Sequence, residues 1–331
     1  MVFFEVQDWE EKLKQTFQDA TFTEEKLTLE NAFQYQDAEV IAIFVYSKIT
    51  KEILDKLPKL KLIVTRSTGY DHIDIQEAKK RNILVSNIPE YGSRTVAEHT
   101  FALILALTRK IYQSINQAKH FDFNHHNIRG VDLFDKTLGI IGLGKIGREV
   151  LKIGQGFGMK ILVFTKHQNQ QLASQLGFRY AELEKLLQNS DVITLHIPYT
   201  KETGHLINKN NIKILKRGSY LINTARGGLI ETEAILMALE QEILAGVGLD
   251  VLEEEEELSE EAEILTSHFQ KKVDLKTLIL NHVLMDHPKV IITPHNAFNS
   301  QEALKRILTT TIENINAFVK GKPINVVSLI L

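Results

Sequence analysis

Four short stretches carry the side chains fit for chemistry. Each follows an apolar run of strand length. "LINTARGG" (221–228) delivers Arg226, "VGLDVLEEE" (247–255) delivers Asp250 and then Glu255, and "VIITPHNAF" (290–298) delivers His295. The fourth, "IIGLGKIG" (140–147), holds Gly142, Gly144 and Gly147 in the pattern G-x-G-x-x-G. Ligand contacts in α/β proteins gather at the carboxyl ends of parallel strands. A guanidinium there suits a bidentate clamp on a carboxylate. A lone histidine is more often structural, but a histidine, a glutamate and an arginine ending strands of one sheet point to a site. The glycines permit a tight turn, close backbone approach to a pyrophosphate, and tight helix–strand packing.

These residues need a scaffold that alternates strand and helix. Apolar runs recur at 39–47, 60–67, 82–89, 137–142, 160–165, 191–198, 219–225, 246–252 and 289–295, and amphipathic stretches separate most of them. Continuous apolar strands between helices imply a parallel sheet covered on both faces. Two long helical stretches, 93–120 and 300–323, read as connectors between domains. The expected division is residues 1–97 with 299–331 as a substrate domain and 98–298 as a dinucleotide-binding domain. Two crossings imply a cleft, where ligands usually bind.

With 331 residues, 44% hydrophobic and 24% charged, the chain suits two globular domains. A net charge of −3 offers no footprint for nucleic acid or an anionic membrane. The absence of cysteine excludes disulfides, thiolate metal sites and a cysteine nucleophile. His125 and His126 lack the spaced partners a metal needs, so no metal is expected. No apolar run reaches the ~18 residues of a membrane span, and the N-terminus turns polar too early for a signal peptide. A cytoplasmic protein is expected. In the run 253–257, Glu255 is singled out and Glu253, Glu254, Glu256 and Glu257 read as solvated charges. Residues 258–288 read as an amphipathic helical excursion.

At the end of the second strand of a dinucleotide fold, an acidic residue normally binds the adenosine ribose. Here "VFTKHQN" (163–169) offers Thr165 and Lys166 instead. Thr165 repels nothing, and Lys166 adds a cation where a 2′-phosphate would lie. The expectation is relaxed NAD(H)/NADP(H) use with a lean toward NADP.

"TRSTGYDHIDIQEAKKRNILVSNIPEYGSRTVAEHTFALILAL", "GLGKIG", "LHIPYTKETGHLIN", "LINTARGG", "GLDVLEEE" and "ITPHNAF" together resemble the D-isomer-specific 2-hydroxyacid dehydrogenases, most closely the D-lactate dehydrogenase branch. The resemblance implies a doubly wound Rossmann cofactor domain inserted into a smaller flavodoxin-like α/β substrate domain. It also implies a homodimer assembled largely through the cofactor domains. It places Arg226, Glu255 and His295 at the catalytic positions and a small 2-oxo or 2-hydroxy acid in the site. Cofactor contacts fall at Gly142, Gly144, Lys145, Ile146, Gly147, Thr165, Lys166, Ile197, Pro198, Thr203, Thr224, Ala225 and Asp250. Substrate contacts fall at Thr68, Gly69, Tyr91, Arg226 and Phe298.

In that reaction His295 would protonate the carbonyl oxygen as hydride reaches the carbon. Glu255 would favour the imidazolium and fix its orientation. Arg226 would hold the carboxylate and polarise the carbonyl. Pyruvate reduction to D-lactate is expected. A glyoxylate or hydroxypyruvate reductase shares the triad, whereas a formate or phosphite dehydrogenase fits it less well. A corepressor-like protein that senses NAD(H) is the alternative of another class. Such proteins carry disordered extensions, which the ending at Leu331 argues against, as it does against a regulatory C-terminal domain.

Overall fold

The computed structural model describes residues 1–7, 10–255 and 274–327. The chain divides into two compact units, Met1–Tyr91 with Asn299 onward, and Gly92–Phe298.

The first unit holds β1 (Val2–Phe3), β2 (Thr21–Phe22), β3 (Val40–Ile43), β4 (Leu62–Thr65) and β5 (Leu84–Ser86). They pair in parallel in the order β2-β1-β3-β4-β5, the flavodoxin arrangement. Its helices are α1 (Glu11–Thr16), α2 (Lys51–Asp55), α3 (Ile75–Lys80) and, far along the chain, α11 (Gln301–Val319). β3 and β4 are buried at every position, because successive side chains serve opposite faces and both faces are covered. Ile41, Ile43 and Ile63 pack with Ile53 and Leu54 of α2. Val40, Ala42, Leu62 and Val64 pack with Leu13 of α1 and Leu308 and Ile315 of α11.

The second unit holds β6 (Thr137–Ile141), β7 (Lys160–Phe164), β8 (Arg179–Tyr180), β9 (Val192–Leu195), β10 (Ser219–Asn223), β11 (Leu244–Leu249) and β12 (Val290–Ile292). Its helices are α4 (Ser93–Thr108), α5 (Ile111–Lys119), α6 (Lys145–Gly156), α7 (Gln170–Leu176), α8 (Leu183–Asn189), α9 (Thr232–Glu240) and α10 (Leu275–Met285). The strands pair in parallel in the order β12-β11-β10-β9-β6-β7-β8. The chain starts in the middle at β6, runs outward to β8, then returns to β9 and runs the other way. This is the doubly wound dinucleotide topology, whose switch point lies between β6 and β9. Leu138 and Ile140 face Phe101 and Ile104 of α4 and Val150 and Leu151 of α6. Ile193 and Leu195 face Leu186 and Leu187 of α8 and Ala234 and Ile235 of α9.

The stretch read as one helix over 93–120 is two. The chain breaks at Lys110, which takes a left-handed φ of 50°. Val131 returns to donate its N–H to the Thr108 carbonyl at 2.9 Å. In an unbroken helix that carbonyl would serve Tyr112, four residues on. α4 belongs wholly to the second unit, so that unit begins a few residues ahead of the division read inside the helix. Of the excursion at 258–288, residues 258–273 lie outside the described residues. The remainder forms α10, capped by Asp274, whose carboxylate accepts the Lys276 and Thr277 N–H groups. Among the described residues no helix is long and apolar enough to cross a membrane.

Candidate active site

The glycine loop is built at the switch point. Gly142 has a φ of 99°, which an L side chain adopts only under strain. A Cβ there would also lie 2.5 Å from the His196 carbonyl oxygen, and one on Gly147 would lie 2.1 Å from the Gly142 oxygen. Gly144 precedes α6, and nothing stands within 4 Å of where its Cβ would be. No side chain caps α6. The positive end of the α6 dipole lies beside Gly144, an arrangement that suits the pyrophosphate of a dinucleotide. Lys145 is exposed next to this glycine, and Ile146 packs half-buried beneath it.

Two strand ends flank the loop. Beyond β7, Thr165 is half-buried and carries no charge. Lys166 is 81% exposed, and its ammonium lies 3.8 Å from the Glu202 carboxylate. Beyond β9, Ile197 is half-buried and Pro198 exposed. Thr203 closes the turn there: its hydroxyl donates to the Pro198 carbonyl at 2.8 Å and accepts from the Thr200 N–H at 2.8 Å. Burial pushes the His196 imidazole down to about 3, so this ring stays neutral.

β10, β11 and β12 deliver the remaining groups. Thr224 is buried, with its hydroxyl 3.0 Å from that of Thr100 on α4. The Asn223 side chain accepts from the Ala225 N–H at 3.0 Å and donates to the Arg226 carbonyl at 2.8 Å. It thereby shapes the turn from which the half-buried Arg226 side chain projects. His295 sits three residues past β12 in a left-handed conformation, with φ at 49°. Its Nδ1 is 3.1 Å from Glu255 Oε1, with both side chains about one-third exposed at 36% and 37%. A carboxylate here accepts a hydrogen bond from Nδ1–H and leaves Nε2 as the working end.

Asp250 plays a part that spacing does not reveal. At 1% exposure its carboxylate accepts the Thr293 hydroxyl at 2.5 Å and the N–H groups of Asn296 and Ala297 at 2.8 and 2.9 Å. His99 Nε2 of α4 lies 3.4 Å away. Burial alone would raise this carboxyl, but the bonds from His99, Thr293 and the two backbone N–H groups outweigh it and hold it below the usual carboxylate range. These bonds bind the turn that presents His295. His99 and Thr293 carry no distinguishing signal in the sequence, since a helical histidine and a threonine after a strand are common.

Glu253 corrects the reading of the glutamate run as solvated apart from Glu255. Its side chain is only 14% exposed and pairs with His205. It also accepts the Thr232 N–H at 2.7 Å and hydroxyl at 2.6 Å. Glu256 and Glu257 lie outside the described residues.

Thr68, Gly69 and Tyr91 belong to the first unit, and Phe298 ends the second. Three bonds set the turn at 67–69. The Ser67 hydroxyl donates to the Gly69 carbonyl at 2.6 Å, that of Thr68 to the Ile88 carbonyl at 2.7 Å, and Asn87 Nδ2 to the Thr68 carbonyl at 2.8 Å. Beneath it the buried Arg66 is paired with Glu10. The Tyr91 carbonyl accepts from Arg306 at 2.6 Å.

Comparison with known proteins extends these observations. Residues 101–297 match the sequence model of the "D-isomer specific 2-hydroxyacid dehydrogenase, NAD binding domain". A 2-hydroxyacid dehydrogenase homolog of Zymomonas mobilis is 36% identical over 92% of this chain and 90% of its own length. A glyoxylate reductase of Thermococcus litoralis is 35% identical over 88% and 84%. A D-lactate dehydrogenase of Aquifex aeolicus, solved with NAD and lactic acid, is 39% identical, covers 97% of this chain and 96% of its own, and superposes with a TM-score of 0.86. The two-unit α/β architecture and the sequence thus match these proteins along nearly the whole chain. It belongs to the D-isomer-specific 2-hydroxyacid dehydrogenases, oxidoreductases that use a nicotinamide cofactor.

Proposed function

We propose that this enzyme reduces pyruvate, or a 2-oxo acid of similar size, to the D-2-hydroxy acid. The observation that carries the reading is the His295–Glu255 pair at 3.1 Å, beyond the ends of β12 and β11. When bound, the nicotinamide supplies the hydride to the carbonyl carbon. Protonated His295 gives its Nε2 proton to the carbonyl oxygen as charge develops there. Glu255 holds the ring by Nδ1 and fixes its orientation. Arg226 clamps the substrate carboxylate and draws electron density from the carbonyl. In the oxidation direction His295 takes the proton back.

NADPH is accepted at least as well as NADH. Thr165 leaves no charge to repel a 2′-phosphate, and the exposed Lys166 stands beside it. One such contact is worth about 1–3 kcal/mol, so the preference is at most about a hundredfold. Glu202, which faces Lys166 in the free protein, keeps it toward the lower end.

The active species is a homodimer joined through the second unit. α5 buries none of its residues and exposes Ile111, Tyr112 and Ile115, while Phe121 and Phe123 just beyond are almost fully exposed. A patch of this kind marks an interaction surface.

Glyoxylate reduction is the second reading, favoured by the likeness to the Thermococcus litoralis enzyme. Oxidation of NADH and NADPH against pyruvate, glyoxylate, hydroxypyruvate, phenylpyruvate and oxaloacetate separates the two. Failure of every acid with both cofactors refutes the proposal.

A further inference from the structure

The geometry points to Glu253 as the positioning residue that fixes both Glu255 and the Arg226 turn; the inference rests on the reduction proposed above. α9 starts at Thr232, yet the residue before it, Glu231, gives no cap and accepts the Lys209 N–H instead. The cap comes from Glu253, 21 residues along the chain, through both the N–H and the hydroxyl of Thr232. The other oxygen of the same carboxylate meets His205 Nε2. The backbone N–H of His205 in turn donates to the Gly228 carbonyl at 2.8 Å. On the remaining side, Gly227 lies so close to the 252–253 peptide that a Cβ would sit 2.0 Å from the Leu252 oxygen. The Glu253 carbonyl is itself held at 2.7 Å by Asn281 of α10, which is fully buried.

Glu253 thus stands where four segments meet. One begins with Arg226, and another reaches Glu255 within two residues. Two residues span at most about 7 Å, so a shift of the Glu253 backbone is carried into the Glu255–His295 contact. The Thr232 N–H, the Thr232 hydroxyl and His205 Nε2 converge on the side chain, and an ionised carboxylate accepts from all three. A glutamine keeps both Thr232 bonds only by turning its NH₂ toward His205, which must then switch tautomer to receive it. A misplacement of about 1 Å in a reacting constellation can cost ~10²-fold in rate. A helix cap alone would affect stability and leave chemistry intact.

The test is Glu253→Gln. The expected result is a kcat at least about tenfold lower with the best 2-oxo acid, and a higher KM, while the Kd for NADH stays within about twofold. The alkaline limb of the pH–rate profile, measured beside that of Glu255→Gln, should move in the same direction as it does there. At fixed neutral pH the Cε1–H resonance of His295, assigned by its loss in His295→Gln, should move toward its position in Glu255→Gln. That resonance needs no turnover. A wild type that reduces no 2-oxo acid would sink the proposed function and still leave this inference measurable. A variant with lowered Tm but wild-type kinetics and an unmoved resonance overturns it. If Glu253→Gln does not fold, His205→Ala removes one donor from a half-exposed position. It should shift the resonance the same way by a smaller amount, and His205→Gln, which keeps an N–H donor, should restore it. An unmoved resonance in His205→Ala likewise overturns the inference.

Discussion

Replacing Asp250 by asparagine separates the two roles open to it, cofactor contact and support of the His295 turn. Its carboxylate is 1% exposed and accepts from Thr293, Asn296 and Ala297. In Asp250→Asn the amide oxygen can keep Thr293 and Asn296. The NH₂ then opposes the Ala297 N–H, leaving a buried donor unmet at about 1–3 kcal/mol. The retained bonds also lose their charge assistance, so the total should be about 2–4 kcal/mol at pH 7, read from urea unfolding. The sign with pH follows from the depressed carboxyl. Its stabilisation is fully present above the unfolded value of about 4 and is lost as pH falls through the lower native value. The gap between wild type and variant should therefore narrow in acid. Because both oxygens are committed to residues 293–297, kcat should fall about tenfold or more while the Kd for NADH changes little. A gap that stays constant from neutral pH to about pH 3, or a loss confined to NADH binding, would refute the reasoning.

His295→Ala should lower kcat for pyruvate by roughly 10²-fold or more with NADH binding retained; near wild-type turnover would remove it from the chemistry. Arg226→Gln should raise KM and lower kcat together, because its clamp acts before and during hydride transfer, and an unchanged KM would count against it. Thr165→Asp should move the ratio of kcat/KM for NADH over NADPH up by about tenfold. A wild type that already rejects NADPH by a hundredfold would show that Thr165 and Lys166 were misread. Ile115→Glu, on the exposed face of α5, should yield monomers by sedimentation at micromolar concentration, and an unchanged assembly would place the dimer contact elsewhere.

The parallel architecture was legible because β3 is wholly apolar and β4 and β9 each carry a single threonine, so none of them leaves a polar face for solvent. β1, β2 and β8 span only two residues each, too short for any period to register. The break at Lys110 depends on Val131 claiming the Thr108 carbonyl, a contact 23 residues distant that helix propensity cannot report. Arg226, Glu255 and His295 stood out by residue type at strand ends. Spacing alone, however, does not say which glutamate of the run meets the histidine. Glu253 looks identical to its neighbours in sequence and differs only in lying against Thr232 and His205. The resemblance places Asp250 among the cofactor contacts, and nothing in its spelling reports its bonds to residues 293–297.

The left-handed backbone of His295 sets local stability against activity. That conformation costs a non-glycine residue on the order of 1–3 kcal/mol and persists only where its surroundings enforce it. Here they do, with the His295 N–H held by the Asp250 and Thr293 carbonyls at 2.9 Å each. Asparagine tolerates the same backbone more readily, and glycine without strain. A search that scored variants only by thermal resistance would therefore favour changing this histidine, and would select a firmer protein with no acid to give.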